Sequence, residues 1–453
     1  MNDMNKRTFL SLLLCVCCLS FLHAERVDMQ QAGADVQGRK LNTALINSTI
    51  DRLNAHGGGT LFFPAGTYLT GSIHMKSNIT LELEAGATLK FSENFDDFLP
   101  YVEVRHEGIM MKSFQPLIYA VDAENITIKG EGTLDGQGKA WWTEFFRVLV
   151  DLRDNGKRNI NKYQPMFEKE NDLKALYAET NEDWHGTLDR RFFRPPFIHP
   201  IRCKNVRVEG VKIINSPFWT VNPEFCDNVT IKGITIHNVP SPNTDGINPE
   251  SCKNVHISDC HISVGDDCIT IKSGRDLQAR KLGVPCENIT ITNCTMLSGH
   301  GGVVIGSEMS GSVRKVTISN CVFDGTDRGI RIKSTRGRGG VVEDIRVSNV
   351  VMSNIKQEAV VLNLKYSKMP AEPKSERTPI FRNVHISGMT VTNVKTPIKI
   401  VGLEEAPISD IVLRDIHIQG GKQKCIFENC ERITMDDVIV NGEVIKSTTN
   451  TTD

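Results

Sequence analysis

A repeat with one apolar offset table constrains this chain more than any other feature. Nine anchors, Val206, Val229, Val255, Ile289, Val316, Ile345, Val384, Ile411 and Ile433, stand 22 to 39 residues apart. Two residues after each comes a second apolar side chain, from Val208 through Ile291 to Met435. Five after come Val211, Ile234, Cys260, Cys294, Cys321, Val350, Met389, Ile416 and Val438, and seven after come Ile213 through Phe323 to Val440. All thirty-six positions are apolar, while the residues between them are mostly Thr, Ser, Asn, Lys and Arg.

Period-two alternation is a strand with one buried face. The break between offsets two and five shifts the parity, which a turn of Asn, Asp or Gly accomplishes. Variable coil length around an invariant strand pattern predicts an all-β solenoid, a right-handed parallel β-helix whose loops vary outside stacked rungs. Helical repeats would need 3.6-residue periodicity, which is absent. A β-sandwich would not keep one table from Val206 to Val440. Asn78-Ile79-Thr80 and Asn125-Ile126-Thr127 read as two earlier rungs. The amphipathic segment from Asn42 to Ala55 predicts a helix capping the open amino-terminal end. The charged and aromatic stretch from Lys139 to Pro195 lacks strand patterning and predicts a partly helical insertion. One solenoid domain is therefore expected over residues 25–445, followed by a disordered tail over 446–453. Most cysteines fall on two ladder positions, where Val, Ile or Phe replace them in other coils, so buried free thiols are expected rather than disulfides.

The amino terminus reads as a signal peptide over residues 1–24: basic Lys6 and Arg7, an apolar run from Phe9 to Leu22, then Ala24. That run is shorter than the roughly 20 residues that span a bilayer. An exported protein is expected, periplasmic or extracellular, with no membrane span. A net charge of -1 gives no electrostatic reason to expect nucleic acid. A monomer is expected.

The strands closing successive coils carry the chemistry. Aligned by rung, Asn243-Thr244-Asp245-Gly246-Ile247 stands beside Gly265-Asp266-Asp267-Cys268-Ile269 and Gly299-His300-Gly301-Gly302-Val303. In this register Asp245 and Asp267 share one position, and Asp266 and His300 share the position before it. Rungs lie about 4.8 Å apart, so the stacked carboxylates repel and raise at least one pKa. A solvated turn or a calcium site would account for a lone Asp-Asp pair. Three aspartates and a histidine suit glycoside hydrolysis better: one carboxylic acid protonates the leaving oxygen and a carboxylate activates water. Asp266 and Asp267 are neighbours, so Asp266 must lie in the bend before the strand for both to face one cleft. That offset is expected to leave the room for water, roughly 6.5–9.5 Å, that inversion needs. Arg331 and Lys333 alternate outward after Ile330, and Lys272 holds the position equivalent to Lys333 two rungs earlier. A cationic row beside an acid site suits a uronate carboxylate. Tyr366, outside a later coil, is expected to stack on a sugar ring.

Asn243-Thr244-Asp245, Gly265-Asp266-Asp267, Gly299-His300-Gly301 and Arg331-Ile332-Lys333 resemble the four signature motifs of the polygalacturonase family of glycoside hydrolases. The segment from Gly33-Ala34-Asp35 to Pro64-Ala65-Gly66-Thr67-Tyr68 also resembles the start of pectin-active β-helix proteins. The resemblance implies an inverting hydrolase of α-1,4-galacturonosidic bonds in pectin, with Asp266 as general acid and Asp245 and Asp267 on the water. It further implies that His300 supports the acid, that Arg331 and Lys333 bind the galacturonate carboxylate, that Asn243 belongs to the site, and that no metal or cofactor takes part. The chain departs from the family's pattern at the Lys139–Pro195 insertion, expected to wall off one end of the cleft and favour exo-action, and at Asn248-Pro249-Glu250. Three alternatives stand beside this reading. A rhamnogalacturonan or xylogalacturonan hydrolase would differ only in polymer. A calcium-dependent pectate lyase would use the aspartates as ligands, and a non-catalytic polysaccharide binder would leave the carboxylate stack unexplained.

Overall fold

The structure is a computed structural model and describes residues 25–156, 159–163, 192–238 and 241–446. Residues 1–24, most of the 157–191 stretch, residues 239–240 and residues 447–453 lie outside it, and with them the expected signal peptide, much of the insertion and most of the expected tail.

Parallel strands run in register from coil to coil. Ile126 pairs with Val206, Val206 with Val229 and Val229 with Val255, and the ladder continues through Ile289, Val316, Ile345, Val384 and Ile411 to Ile433. The chain is therefore a parallel β-helix. Every offset-table position is buried except Met435, half-exposed in the last coil where no further rung covers it. Each buried Val or Ile contributes about 1.5–3 kcal/mol, and the stack adds these contributions coil by coil.

The parity shift has a local cause. At offset four stand Gly210, Gly233, Asp259, Asn293, Asn320, Asn349, Gly388, Asp415 and Asp437, and each has positive φ. These residue types tolerate the left-handed region, so the chain bends there without moving an apolar residue to the outside. Asparagines just before the anchors add a second line of bends, and their side chains form a ladder: Asn125 donates to Asn78, Asn205 to Asn125, and Asn228 to Asn205.

The helix Thr43–Ala55 lies over the first coil, burying Ile46, Ile50 and Leu53, while Asn47 and Asn54 donate to the Ser72 and Ser77 carbonyls. The insertion contributes the helix Lys139–Asn155. Its Trp141 is buried against Phe95, Phe98, Phe114 and Phe192. The ten described cysteines are free. One element has no precedent in the offset table, an antiparallel hairpin of Val102–His106 and Ile109–Ser113. Its two-residue turn, Glu107-Gly108, has positive φ at both positions, which matches the right-handed twist of the flanking strands. Among the described residues no helix is long and apolar enough to cross a membrane.

Candidate active site

Asp267 opens the strand Asp267–Ile271, and Asp266 sits in the bend before it, so neighbouring side chains reach the same cleft. Gly265 permits that bend, since a Cβ there would stand 2.0 Å from the Ser241 carbonyl oxygen. The expected register is present: Asp267 pairs with Gly301, Ile247 with Ile269, and the His300 amide donates to the Asp266 carbonyl at 2.8 Å. Asp245, Asp266 and Asp267 present oxygens within 4.8 Å of one another, closer than the separation expected from sequence.

The three carboxyls are not equivalent. Asp267 is buried, accepts from Lys333 Nζ on Oδ2 at 2.7 Å and from Arg331 Nη1 on Oδ1 at 3.3 Å. Burial would raise it, but Lys333, Arg331 and Lys272 outweigh burial and hold it at about 2. Burial and then the charge of Asp266 push Asp245 well above the usual carboxylate range, with Lys272 opposing. Asp266 is the most exposed of the three. It accepts from the Asp267 amide at 3.0 Å and faces His300 Nδ1 at 3.1 Å, and this contact raises the histidine above its ordinary value against the effect of burial.

Asn243, Asp245, Asp266, Asp267, Lys272, Lys333 and Tyr366 line one cavity of about 260 Å³. Arg331 lies behind Asp267, its guanidinium 5.5 Å from the Tyr366 ring centre, and Lys333 is 5.3 Å from it. His300 lines the adjoining depression with Gly299, Asp327 and Lys356. Asn243 is fixed by Arg194, which donates to its Oδ1 at 2.8 Å.

Seven further residues line the cavity that the sequence reading did not single out, Ser307, Ser367 and five charged or aromatic ones: Glu107, Trp219, Arg275, Glu308 and Arg338. Lys272 donates to Glu308 at 2.9 Å and lies 4.3 Å from the Trp219 ring. Burial would raise Glu308, yet Lys272, Arg338 and Arg275 keep it ionised. Arg275 pairs with Glu107 at 3.5 Å. All five lie outside the repeated strand positions, so no offset pointed to them. Glu107 is the hairpin turn. Among the described residues, the hairpin turn and Trp219 thus form part of the cavity wall. Phe193 of the insertion packs on His106 of the hairpin; the described residues of the insertion do not line the cavity, and its residues 164–191 lie outside those described. Toward the later coils stand the exposed Tyr366 and Lys368.

The three aspartates are also the buried cluster that could hold a cation. Both Asp267 oxygens already accept from Arg331 and Lys333, and Lys272 stands 3.8 Å from Asp245. The chain's own cations thus supply the charge a divalent ion would bring, and would repel one.

Residues 184–449 match Glycosyl hydrolases family 28. The chain belongs to this family. It is therefore a glycoside hydrolase, on the right-handed β-helix that its family neighbours share. An endo-polygalacturonase of Pectobacterium parmentieri is 31% identical over 377 residues, covering 80% of this chain and 84% of that one. A probable polygalacturonase of Vitis vinifera is 29% identical over 90% of this chain and 77% of its own length. Among solved structures, the hyperthermoactive exopolygalacturonase of Thermotoga maritima is 37% identical, with a TM-score of 0.81 and 92% of both chains covered.

The paired cations of this family 28 site do more than face a ligand. Lys333→Ala is expected to raise KM and also lower kcat, together about 10- to 100-fold in kcat/KM for one charge-assisted bond. Losing a cation that holds Asp267 at about 2 must raise that carboxyl, so the acid limb of the kcat/KM profile should move to higher pH. A pH–rate series checks both, and an unmoved acid limb with a higher KM would leave Lys333 a substrate contact only.

Proposed function

We propose that the protein hydrolyses α-1,4-galacturonosidic bonds of polygalacturonan, from the chain end and with inversion. The carrying observation is the carboxylate triad with oxygens within 4.8 Å, set in a cavity whose walls carry Lys272, Arg275, Lys333 and Arg338. A triad alone suits many sugars, but four cations about one cavity suit a uronate. Relatives named for polygalacturonase activity agree with this substrate. Asp266, paired with His300, gives its proton to the leaving oxygen. Asp267, held ionised, accepts the proton of a water that Asp245 helps to place. Lys333 on the cavity wall orients the sugar carboxylate, Arg331, which does not line the cavity, holds Asp267 from behind, and Tyr366 stacks on a ring. The amino-terminal pattern supports export of the enzyme, and contact with pectin outside the cell.

End-wise action is supported by the hairpin, whose turn walls part of the cavity, and by likeness to the Thermotoga maritima exopolygalacturonase. Relatives carry both endo and exo names, so the product profile is the test. From polygalacturonate, mono- or digalacturonate should dominate from the first minutes, with little early loss of viscosity. Rapid viscosity loss would overturn end-wise action, and greater turnover of rhamnogalacturonan would overturn the substrate. Activity should persist in excess chelator without an unsaturated product, which separates hydrolysis from calcium-dependent elimination.

A further inference from the structure

The wall hairpin is not part of any coil, and its fastening uses a motif that the chemistry above leaves idle. Asn222-Pro223-Glu224 and Asn248-Pro249-Glu250 are one tripeptide repeated on successive coils. They stack in register, Glu224 beside Glu250 and Glu250 beside Lys272. Lys272 points outward into the cleft, so the glutamates belong to the same outer face, yet both are wholly buried. Two stacked buried carboxyls are costly unless a cation meets them.

Arg105 of the hairpin meets Glu250, beside which Glu224 is stacked. It is 1% exposed, its Nε is 3.6 Å from Glu250 Oε1, and its Nη1 donates to Ser251 Oγ at 3.0 Å. Its guanidinium lies over the Phe225 ring, 4.6 Å from the centre. Gly274 leaves room for it: a Cβ there would stand 1.7 Å from Arg105 Nη2, at a φ of +84° that side chains rarely adopt. Burial and then Glu250 push the Glu224 carboxyl well up, and burial raises Glu250 as well, with Arg105 and Lys272 opposing it. Neither glutamate lines the cavity.

We infer that Glu224 and Glu250 are positioning residues that seat Arg105, and through it hold the hairpin as the fixed end wall that confines cutting to a chain end. The inference rests on the end-wise reading above, and hydrogen exchange of the hairpin amides tests the seat independently of it. The variants are Arg105→Met with Glu250→Gln, which removes the guanidinium together with its nearest carboxyl, and Gly274→Ala, which expels the guanidinium. Exchange over Val102–Ser113 should quicken on the order of tenfold or more in both, with the coils unchanged. Oligomers longer than digalacturonate should then appear among the early products, and Arg105→Lys should restore part of the wild-type profile. Unchanged hairpin exchange in either folded variant overturns the seat. Faster exchange with wild-type products overturns its role in specificity. A wild type that makes long oligomers from the start overturns end-wise action instead, and leaves the seat to the exchange result.

Discussion

Asp266→Asn is expected to lower kcat by roughly 10²–10⁴-fold, the usual worth of a positioned general acid, with KM little changed. An amide cannot release a proton to the departing oxygen, whereas it can keep the hydrogen bond from the Asp267 amide and the contact with His300. The fold should survive, since Asp266 sits in a partly exposed bend outside the offset table. His300 sharpens the expectation. Its pairing with Asp266 raises it, so its charge is fully present below the ordinary histidine range and is lost as pH rises through the higher folded value. The alkaline limb of the wild-type profile should follow that loss. Single-turnover rates, circular dichroism and thermal melting of the variant check the claim. Wild-type kcat in a folded variant would move the acid role to Asp245, whose carboxyl is the one pushed well up.

The sequence exposed what repetition repeats. Apolar offsets named the buried face of each coil, and Asn, Asp and Gly between offsets two and five named the bends, because left-handed residues are few in type. The same register put Asp245 on Asp267 and Asp266 on His300 before any coordinates, since a parallel ladder fixes neighbours by position alone. What repetition does not repeat stayed hidden. Arg105 meets Ser251 across 146 residues of chain, and nothing in Val102–Ser113 says where a hairpin so placed will dock. Glu308, Arg275 and Arg338 reach the cavity from loops whose lengths vary by coil. The wall expected of the Lys139–Pro195 insertion followed length and composition; its residues 164–191 lie outside those described, and the shorter hairpin, which no pattern announced, reaches the cavity through Glu107. One signal was present and unused: Asn-Pro-Glu occurs twice, one coil apart, and a charged tripeptide repeated in register on a solenoid is a sign of something built upon it.

The first sugar released from α-linked galacturonan should be entirely the β-anomer, an all-or-none outcome that reaches past rate to mechanism. Carboxyl separation alone would argue the other way, because the triad's nearest oxygens lie within 4.8 Å and retaining enzymes hold theirs at about 5–5.5 Å. Charge decides against that reading. A retaining mechanism needs one carboxylate free to form an ester with the sugar. Asp267 has Lys333 on one oxygen and Arg331 on the other, so neither oxygen is free to bond the sugar carbon, while a remaining lone pair can still accept from water. Asp245 is pushed well above the ordinary carboxylate range, so it is poor as an attacking anion. Together they suit a water instead, Asp267 accepting its proton and Asp245 bonding to it, while Asp266 across the bond gives up its own. The close spacing then reflects two residues sharing one water rather than a nucleophile against its acid. Proton NMR of the first turnovers, faster than mutarotation, reads the anomer directly. Initial α-product, or a sugar ester trapped on Asp245 or Asp267, would overturn inversion while leaving the β-helix and the membership in family 28 untouched.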